Sequence, residues 1–97
     1  MTQSYSIRAL ARADLEEIWI FTFEEWGLEQ ADKYLHALFS RFEWLSERPY
    51  TGKNREDIKT GYYCFPEGMH LVFCTMTAHG IDIIGIPHQN MDFIGHF

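Results

Sequence analysis

The spacing of hydrophobic and polar positions changes along this chain, and each change marks a new element. Residues 5–10 alternate polar and apolar side chains, which predicts a short β-strand. From residue 11 the apolar side chains recur at intervals of three and four, which predicts one buried face of an α-helix. Gly27 predicts the end of that helix, because glycine readily takes the left-handed conformation at a helix C-terminus. The apolar stripe consists of Leu15, Ile18, Trp19, Thr22 and Trp26.

The helical spacing resumes directly after Gly27 and continues to Arg48. Pro49 then predicts a stop, because proline disrupts the helical hydrogen-bond ladder. A link this short between two amphipathic helices predicts antiparallel neighbours, an αα-hairpin. We expect Trp19 and Trp26 to fill the space between this hairpin and the sheet.

The second half of the chain has the pattern of β-structure. Residues 50–61 are polar and contain glycine, which predicts a loop. Strands are predicted over 62–65, 69–77 and 81–86, with turns over 66–68 and 78–80. Residues 71–74 are apolar on both faces, as in a central strand, and Pro87 is expected to end the pairing. The pattern predicts an α+β fold of order β-α-α-β-β-β, a helical hairpin packed on a small, mainly antiparallel sheet.

The size and charge of the chain narrow the functions open to it. Its 97 residues predict a single domain over 1–97, with a fold core over 1–87 and a C-terminal tail over 88–97. The formal net charge of -6, with eight Lys and Arg, argues against direct sequence-specific binding of nucleic acid, which relies on clustered cations. No apolar run approaches the roughly 20 residues that span a bilayer, and the N-terminus lacks the features of a signal peptide. We expect a cytoplasmic protein without membrane contact.

Few side chains suggest metal or redox chemistry. Cys64 and Cys74 fit a reducing compartment. A hairpin turn near residues 66–69 would place Cys64 opposite about Leu71, so a disulfide is not expected, and two lone cysteines do not predict zinc. We therefore expect no metal site at these cysteines.

Several ionisable residues have plausible structural roles. His70 alternates with apolar residues on the central strand, so we expect a packed, hydrogen-bonded histidine and not an acid or base. Asp14 is expected near the start of the first helix, where a negative charge interacts favourably with the helix dipole. Asp92 is expected to start a short terminal helical turn. The remaining histidines of this group are expected to lie on the surface: His36, His79 and His96.

Six short blocks in a fixed order carry a resemblance that covers nearly the whole chain. They are residues 11–19 (ARADLEEIW), 26–31 (WGLEQA) with Tyr34, Pro49 with Gly52, residues 61–62 (GY), residues 68–73 (GMHLVF) and residues 88–92 (HQNMD). In combination they resemble the ParE branch of the RelE/ParE toxin superfamily. These proteins are the toxins of bacterial type II toxin–antitoxin modules, and the predicted order of elements is that of the RelE/ParE fold.

This resemblance implies a function in protein binding and not in catalysis. ParE toxins inhibit DNA gyrase without a metal or cofactor, and a ParD-type antitoxin neutralises them. In ParE-like proteins the C-terminus matters for inhibition of the target, although Phe93 or Ile94 could simply pack against the sheet edge. The candidate target-binding residues are Tyr63, His88, Gln89, Met91, Asp92, Phe93, Ile94 and Phe97.

The helices carry more aromatic residues than one buried stripe accommodates. A helix in a domain of this size cannot bury every side, so some of these residues must be exposed and suggest a partner surface. Hydrophobic anchors of an antitoxin would fit such a surface. The candidate antitoxin-binding residues are Phe21, Phe23, Phe39 and Trp44.

Three positions depart from the family pattern and leave alternatives open. Tyr63 and Gly85 stand where arginine is common, and Pro87 replaces an aliphatic residue. The loss of these positive charges suggests, as an alternative, a ParE-fold protein with weakened or lost toxicity that retains antitoxin binding. Tyr63 could instead compensate for the missing charge by stacking or hydrogen bonding. A RelE-like, ribosome-dependent mRNA endonuclease is the third alternative. It would need cations on the sheet, and residues 62–87 contain no Lys or Arg.

Overall fold

The computed structural model describes residues 4–97, in which two long helices pack on a five-stranded mixed sheet and a short third helix lies near the C-terminus. The helices are α1 (Ala9–Trp26), α2 (Leu28–Glu47) and the short α3 (Phe93–His96). The strands are β1 (Ser4–Ile7), β2 (Lys53–Asn54), β3 (Tyr63–Glu67), β4 (His70–Thr77) and β5 (Gly80–Gly85). The α+β fold and the predicted order of the main elements are confirmed. None of the described helices combines the length and apolarity needed to cross a membrane.

The sheet has the strand order β1-β5-β4-β3-β2, which places β4 in the middle. β1 pairs with β5 in parallel, and the other pairs are antiparallel. The α1–α2 hairpin covers one face of the sheet, where the main core forms. We call the other side the open face; its buried apolar residues are Tyr62, Cys64, Phe73 and Ile84. The apolar character of β4 on both sides is therefore explained, and its central position is confirmed.

The predicted strand and helix boundaries at the N-terminus were partly wrong. β1 ends at Ile7 and α1 already begins at Ala9, so Leu10 is helical. Gly27, at φ 92, joins α1 directly to α2, as the hairpin prediction required. Trp26, the last residue of α1, is 74% exposed and does not fill the space under the hairpin. Trp19 lies half-buried, where its indole N–H donates to Asp32 Oδ1 at 3.0 Å.

The β3–β4 hairpin has a shorter turn than the sequence suggested. Glu67 pairs with His70, so Pro66 and Glu67 belong to β3 and the turn consists of two residues. Gly68, at φ 56, occupies the first turn position, where a positive φ favours glycine. Cys64 consequently lies opposite Phe73 and not Leu71. Cys64 packs on the open face and Cys74 in the main core, and both thiols are free.

Residues 50–61 are not entirely a loop. A 3-10 turn over Pro49–Thr51 is followed by β2, which pairs with the start of β3. From the rest of this segment, Arg55 reaches the open face, where its guanidinium carbon lies 5.8 Å from the ring centre of Phe73. The same guanidinium pairs with Asp57 at 2.9 Å. A cation thus approaches the central part of the sheet, although β3, β4 and β5 contain no Lys or Arg.

Candidate partner-binding surfaces

The chain after β5 stays attached to β4 beyond the proline that was expected to end the pairing. β5 does end at Gly85, but the Leu71 N–H donates to the Pro87 carbonyl at 2.9 Å. The Gln89 N–H donates to the Met69 carbonyl at 2.9 Å in the same way. Proline has no backbone N–H to donate, but the Pro87 carbonyl oxygen can still accept a hydrogen bond, so the contact with β4 continues past it. This backbone pairing brings the tail back along β4.

The end of the tail packs on the open face and is not an appendage. The predicted terminal helical turn is confirmed as α3, and Phe97 follows it. The Phe97 ring centre lies 4.8 Å from that of Phe73 and 5.5 Å from that of Tyr62. Phe97 is consequently half-buried. The side chains of Phe93 and Ile94 lie outside the described part of the structure.

Asp14 has a role different from the one its position in the sequence suggested. It lies more than one turn into α1 and is only 7% exposed, so the helix dipole does not explain it. Its Oδ2 accepts the Ile86 N–H at 2.8 Å and lies 2.8 Å from His96 Nε2. His96 is therefore half-buried, and its predicted surface position was wrong. This carboxylate connects the helical hairpin, the end of β5 and the tail.

His70 is hydrogen-bonded, as predicted. Its Nδ1 lies 2.7 Å from the Tyr34 hydroxyl, which also accepts the Met69 N–H at 3.0 Å. Burial is the main reason that the pKa of His70 is lowered to about 4, with the neighbouring His88 as a second cause. The imidazole is thus neutral at pH 7, and its ring helps to fix the β3–β4 turn to α2.

The first residues of the tail rest on this hairpin. The ring centres of His88 and His70 are 5.3 Å apart, with the rings nearly perpendicular. The Asn90 N–H donates to His88 Nδ1 at 3.2 Å, and the Gln89 amide donates to the Gly68 carbonyl at 2.8 Å. His88 and Gln89 are therefore held by the hairpin. Met91 and Asp92 follow on the exposed side.

A groove of about 760 Å³ lies between α1, the β3–β4 turn and the tail, and we call it the tail groove. Phe21 and Trp26 contribute apolar surface from α1, and Met91 and His88 contribute from the tail. Glu17 and Glu25 add carboxylates, and no Lys or Arg lines this groove within residues 4–97. One antitoxin candidate, Phe21, thus lies beside two target candidates.

The other candidate residues are spread over separate surfaces. Phe39 lines a second groove of about 540 Å³ formed by α1, α2 and β1, which we call the hairpin groove. Phe21, Phe23 and Phe39 are 63%, 44% and 38% exposed, so the expected exposure of aromatic residues is confirmed for these three. Trp44 is half-buried, with the guanidinium carbon of Arg41 4.7 Å from its ring centre.

Tyr63 lies apart from the tail. It is half-buried against the main core on the helix-covered side of the sheet, whereas Phe97 packs on the open face. The structure therefore separates Tyr63 from the other target candidates. It also reveals two residues that sequence reasoning left out of the candidate set, Asp14 and Gly85, whose contacts with the tail join distant parts of the chain.

Comparisons with known proteins agree with this geometry. The family model described as ParE toxin of type II toxin-antitoxin system, parDE, matches residues 5–93. The chain belongs to the ParE toxin family. A relative called Toxin ParE1 from Mycobacterium tuberculosis is 36% identical over 93 residues, covering 95% of each chain. A Toxin ParE1 from Caulobacter vibrioides is 34% identical over 92 residues, again covering 95% of each.

The fold of this ParE-family chain is also found among solved structures. It matches a chain of the chromosomal ParDE TA system from P. aeruginosa with a TM-score of 0.75 and 19% sequence identity. The match covers 90% of this chain and 96% of that one. The helical hairpin on a mixed sheet is therefore an arrangement shared with that structure.

Proposed function

We propose that this ParE-family toxin inhibits DNA gyrase by binding it, and that a ParD-type antitoxin neutralises the toxin. The family match over residues 5–93 is the observation that carries the proposal. Inhibition of gyrase and neutralisation by ParD come from the family resemblance. Both partners act in the bacterial cytoplasm, which is therefore the proposed location.

The surroundings of the histidines favour binding over RNA cleavage. A general acid or base works best with a pKa near the operating pH, whereas that of His70 is lowered to about 4 by burial. Its Nδ1 is also engaged by Tyr34. The guanidinium of Arg55 on the open face pairs with Asp57. We propose that the protein is not an enzyme and uses neither metal nor cofactor.

We assign the two partners to two sets of residues, which meet in the tail groove where Phe21 lies beside His88 and Met91. The tail residues His88, Gln89, Met91 and Asp92 with Phe93, Ile94 and Phe97 form the proposed gyrase-binding segment. Tyr63 would contribute to gyrase binding only from the neighbouring sheet edge, because it lies on the side of the sheet that faces away from the tail. The exposed aromatic residues Phe21, Phe23 and Phe39, with the half-buried Trp44, form the proposed antitoxin-binding set.

Expression of the chain alone in a bacterium, followed by a supercoiling assay with purified gyrase, tests this proposal. We expect growth arrest, blocked supercoiling and accumulation of cleaved DNA, all relieved by co-expression of a ParD-type antitoxin. Growth arrest with active gyrase and cleaved mRNA would contradict the proposal and favour the RelE-like endonuclease.

A second candidate is a ParE-fold protein that binds antitoxin but has weakened or lost toxicity. It is favoured by Gly85, which contributes no side chain to the open face, and by the Phe97 ring that covers this position. In this case folded protein would bind a ParD-type antitoxin in a pull-down but would leave growth and supercoiling unchanged.

A further inference from the structure

Glycine is required at position 85 because the surrounding space does not accommodate a side chain. Gly85 is buried at the end of β5, and its φ is not among the positive values of the described glycines, so backbone conformation does not explain it. A Cβ atom at this position would lie 2.5 Å from Phe97 Cε1, well inside contact distance. Glycine within a strand often marks a site where another part of the molecule approaches closely. Here that part is the ring of Phe97.

Asp14 reaches the same place from α1. A Cβ on residue 85 would lie 3.5 Å from its Oδ2, the atom that accepts the Ile86 N–H and lies 2.8 Å from His96 Nε2. A buried carboxylate is costly unless hydrogen-bonded, and the tail supplies one of its two partners. The side chains of Asp14 and His96 are only 8% and 14% exposed.

We infer that Asp14, Gly85, His96 and Phe97 form a latch that fixes the tail on the open face, with Asp14 as the positioning residue. The tail latch joins residues that are 82 positions apart in the sequence. Asp14 orients His96 by a hydrogen bond, and the absence of a side chain at Gly85 admits the Phe97 ring onto Phe73.

The latch determines how the tail meets its partner. His88 and Gln89 are held by the β3–β4 hairpin and Phe97 by the open face, so the segment between them is fixed at both ends. A segment held in its binding conformation loses less entropy on association. This consequence rests on the proposed function, because it assumes that the tail contacts gyrase.

Amide NMR of the purified full chain tests the latch without reference to gyrase. In the unmodified protein we expect high 15N–1H NOE values for Gly95 to Phe97 and a ring-current shift from Phe97 at the Gly85 amide. Asp14→Asn, Gly85→Ala and His96→Leu should each lower the NOE values and reduce that shift. His96→Gln, which keeps a donor, should retain both.

Two variants serve as matched controls. Glu17→Gln removes an exposed carboxylate from the same helix, and His79→Ala removes an exposed histidine from the β4–β5 turn; both should leave the tail signals unchanged. Unaltered tail order in Gly85→Ala and His96→Leu would overturn the latch, even if Asp14→Asn failed to fold.

The positioning role is tested by titrating each variant in the supercoiling assay. We expect the half-inhibitory concentration to rise about tenfold for His96→Leu, as for the weakening of one charge-assisted hydrogen bond, and to stay near that of the unmodified chain for His96→Gln. Loosened tails with unchanged inhibition would overturn the positioning role. If the unmodified chain left gyrase active, the proposed function and the role toward gyrase would fail together, while the NMR result would still decide the latch.

Discussion

The hydroxyl of Tyr34 lies 2.7 Å from Nδ1 of His70 and joins α2 to the β3–β4 hairpin. The same hydroxyl accepts the Met69 N–H at 3.0 Å and lies 3.2 Å from the Glu67 carbonyl. The hairpin in turn holds the first residues of the tail. A single phenol oxygen therefore supports the surface on which His88 and Gln89 rest.

Tyr34→Phe should lower the free energy of unfolding by about 1–3 kcal/mol, because it leaves hydrogen-bonding groups of the hairpin without their partner. Urea denaturation measures this loss. Tyr50→Phe is the matched control, since Tyr50 is 80% exposed and should change stability little. Equal stability of the two variants would show that the Tyr34 contacts contribute nothing.

The lowered pKa of His70 predicts a stability that falls with acidification. Since the folded-state pKa of about 4 lies below the ordinary value of 6.5, the unfolded chain binds more protons between these pH values. The stabilising contribution of neutral His70 is complete above pH 6.5 and is lost as the pH falls from 6.5 towards 4. Urea denaturation at several pH values, compared with His70→Gln, should show a flatter profile for the variant.

Removal of residues 93–97 should strongly reduce toxicity, because it removes three of the seven tail residues of the proposed gyrase-binding segment, namely Phe93, Ile94 and Phe97. It should also cost roughly 1–3 kcal/mol of stability, because Phe97 packs on Phe73 and Tyr62. Growth after induction and thermal unfolding report the two effects. Phe97→Ala removes the packing on Phe73 and Tyr62 but keeps residues 93–96, so comparison with the truncated chain shows how much of each effect depends on the Phe97 ring. A truncated chain as toxic as the whole would exclude the tail from target binding.

Ala substitution of Phe23 or Phe39 should weaken antitoxin binding more than folding, because both side chains are exposed. We expect an affinity loss of about 1–3 kcal/mol for an interface anchor, measured by calorimetry with a ParD-type antitoxin. Phe42→Ala is the contrasting variant, because the fully buried Phe42 should cost about 3–5 kcal/mol of stability. Equal losses of binding and stability in Phe23→Ala would assign that residue to the core.

Arginine at position 85 should compete with Phe97 for space, because even a Cβ there lies 2.5 Å from the ring. Gly85→Arg alone should lower the melting temperature, and adding Phe97→Ala should partly restore it. Neighbouring sites of this kind show coupling energies of about 0.5–3 kcal/mol. Additive effects of the two substitutions would mean that residues 85 and 97 do not compete. If the attenuated alternative holds, arginine at positions 63 and 85 should increase growth arrest.

The sequence predicted the elements well because their signals are local. Gly27 and the spacing of Ala11, Leu15 and Ile18 suffice for the helix hairpin. Pro66 was misassigned to a turn because proline usually interrupts a strand. Its partner Leu71 donates its N–H to the Pro87 carbonyl on the other side, so β4 needs no donor from Pro66 at that point.

The latch could not be predicted for a different reason. Asp14 and His96 are separated by most of the chain, and each has a sufficient local explanation as a helix residue or a surface histidine. Trp26 was misassigned because helical periodicity gives the direction of a side chain but not the length of the sheet beneath it. Its exposed position became visible only once the packing of α1 was known.

The parallel pairing of β1 with β5 also determines when folding of the sheet can be completed. Among the described strands β1 has no other partner, so residues 4–7 must wait until residues 80–85 have been synthesised. Contacts this distant in sequence form slowly, because the intervening chain must be ordered first. During translation, the sheet therefore closes only after β5 has left the ribosome, and products that stop before β5 lack the tail proposed to meet the target.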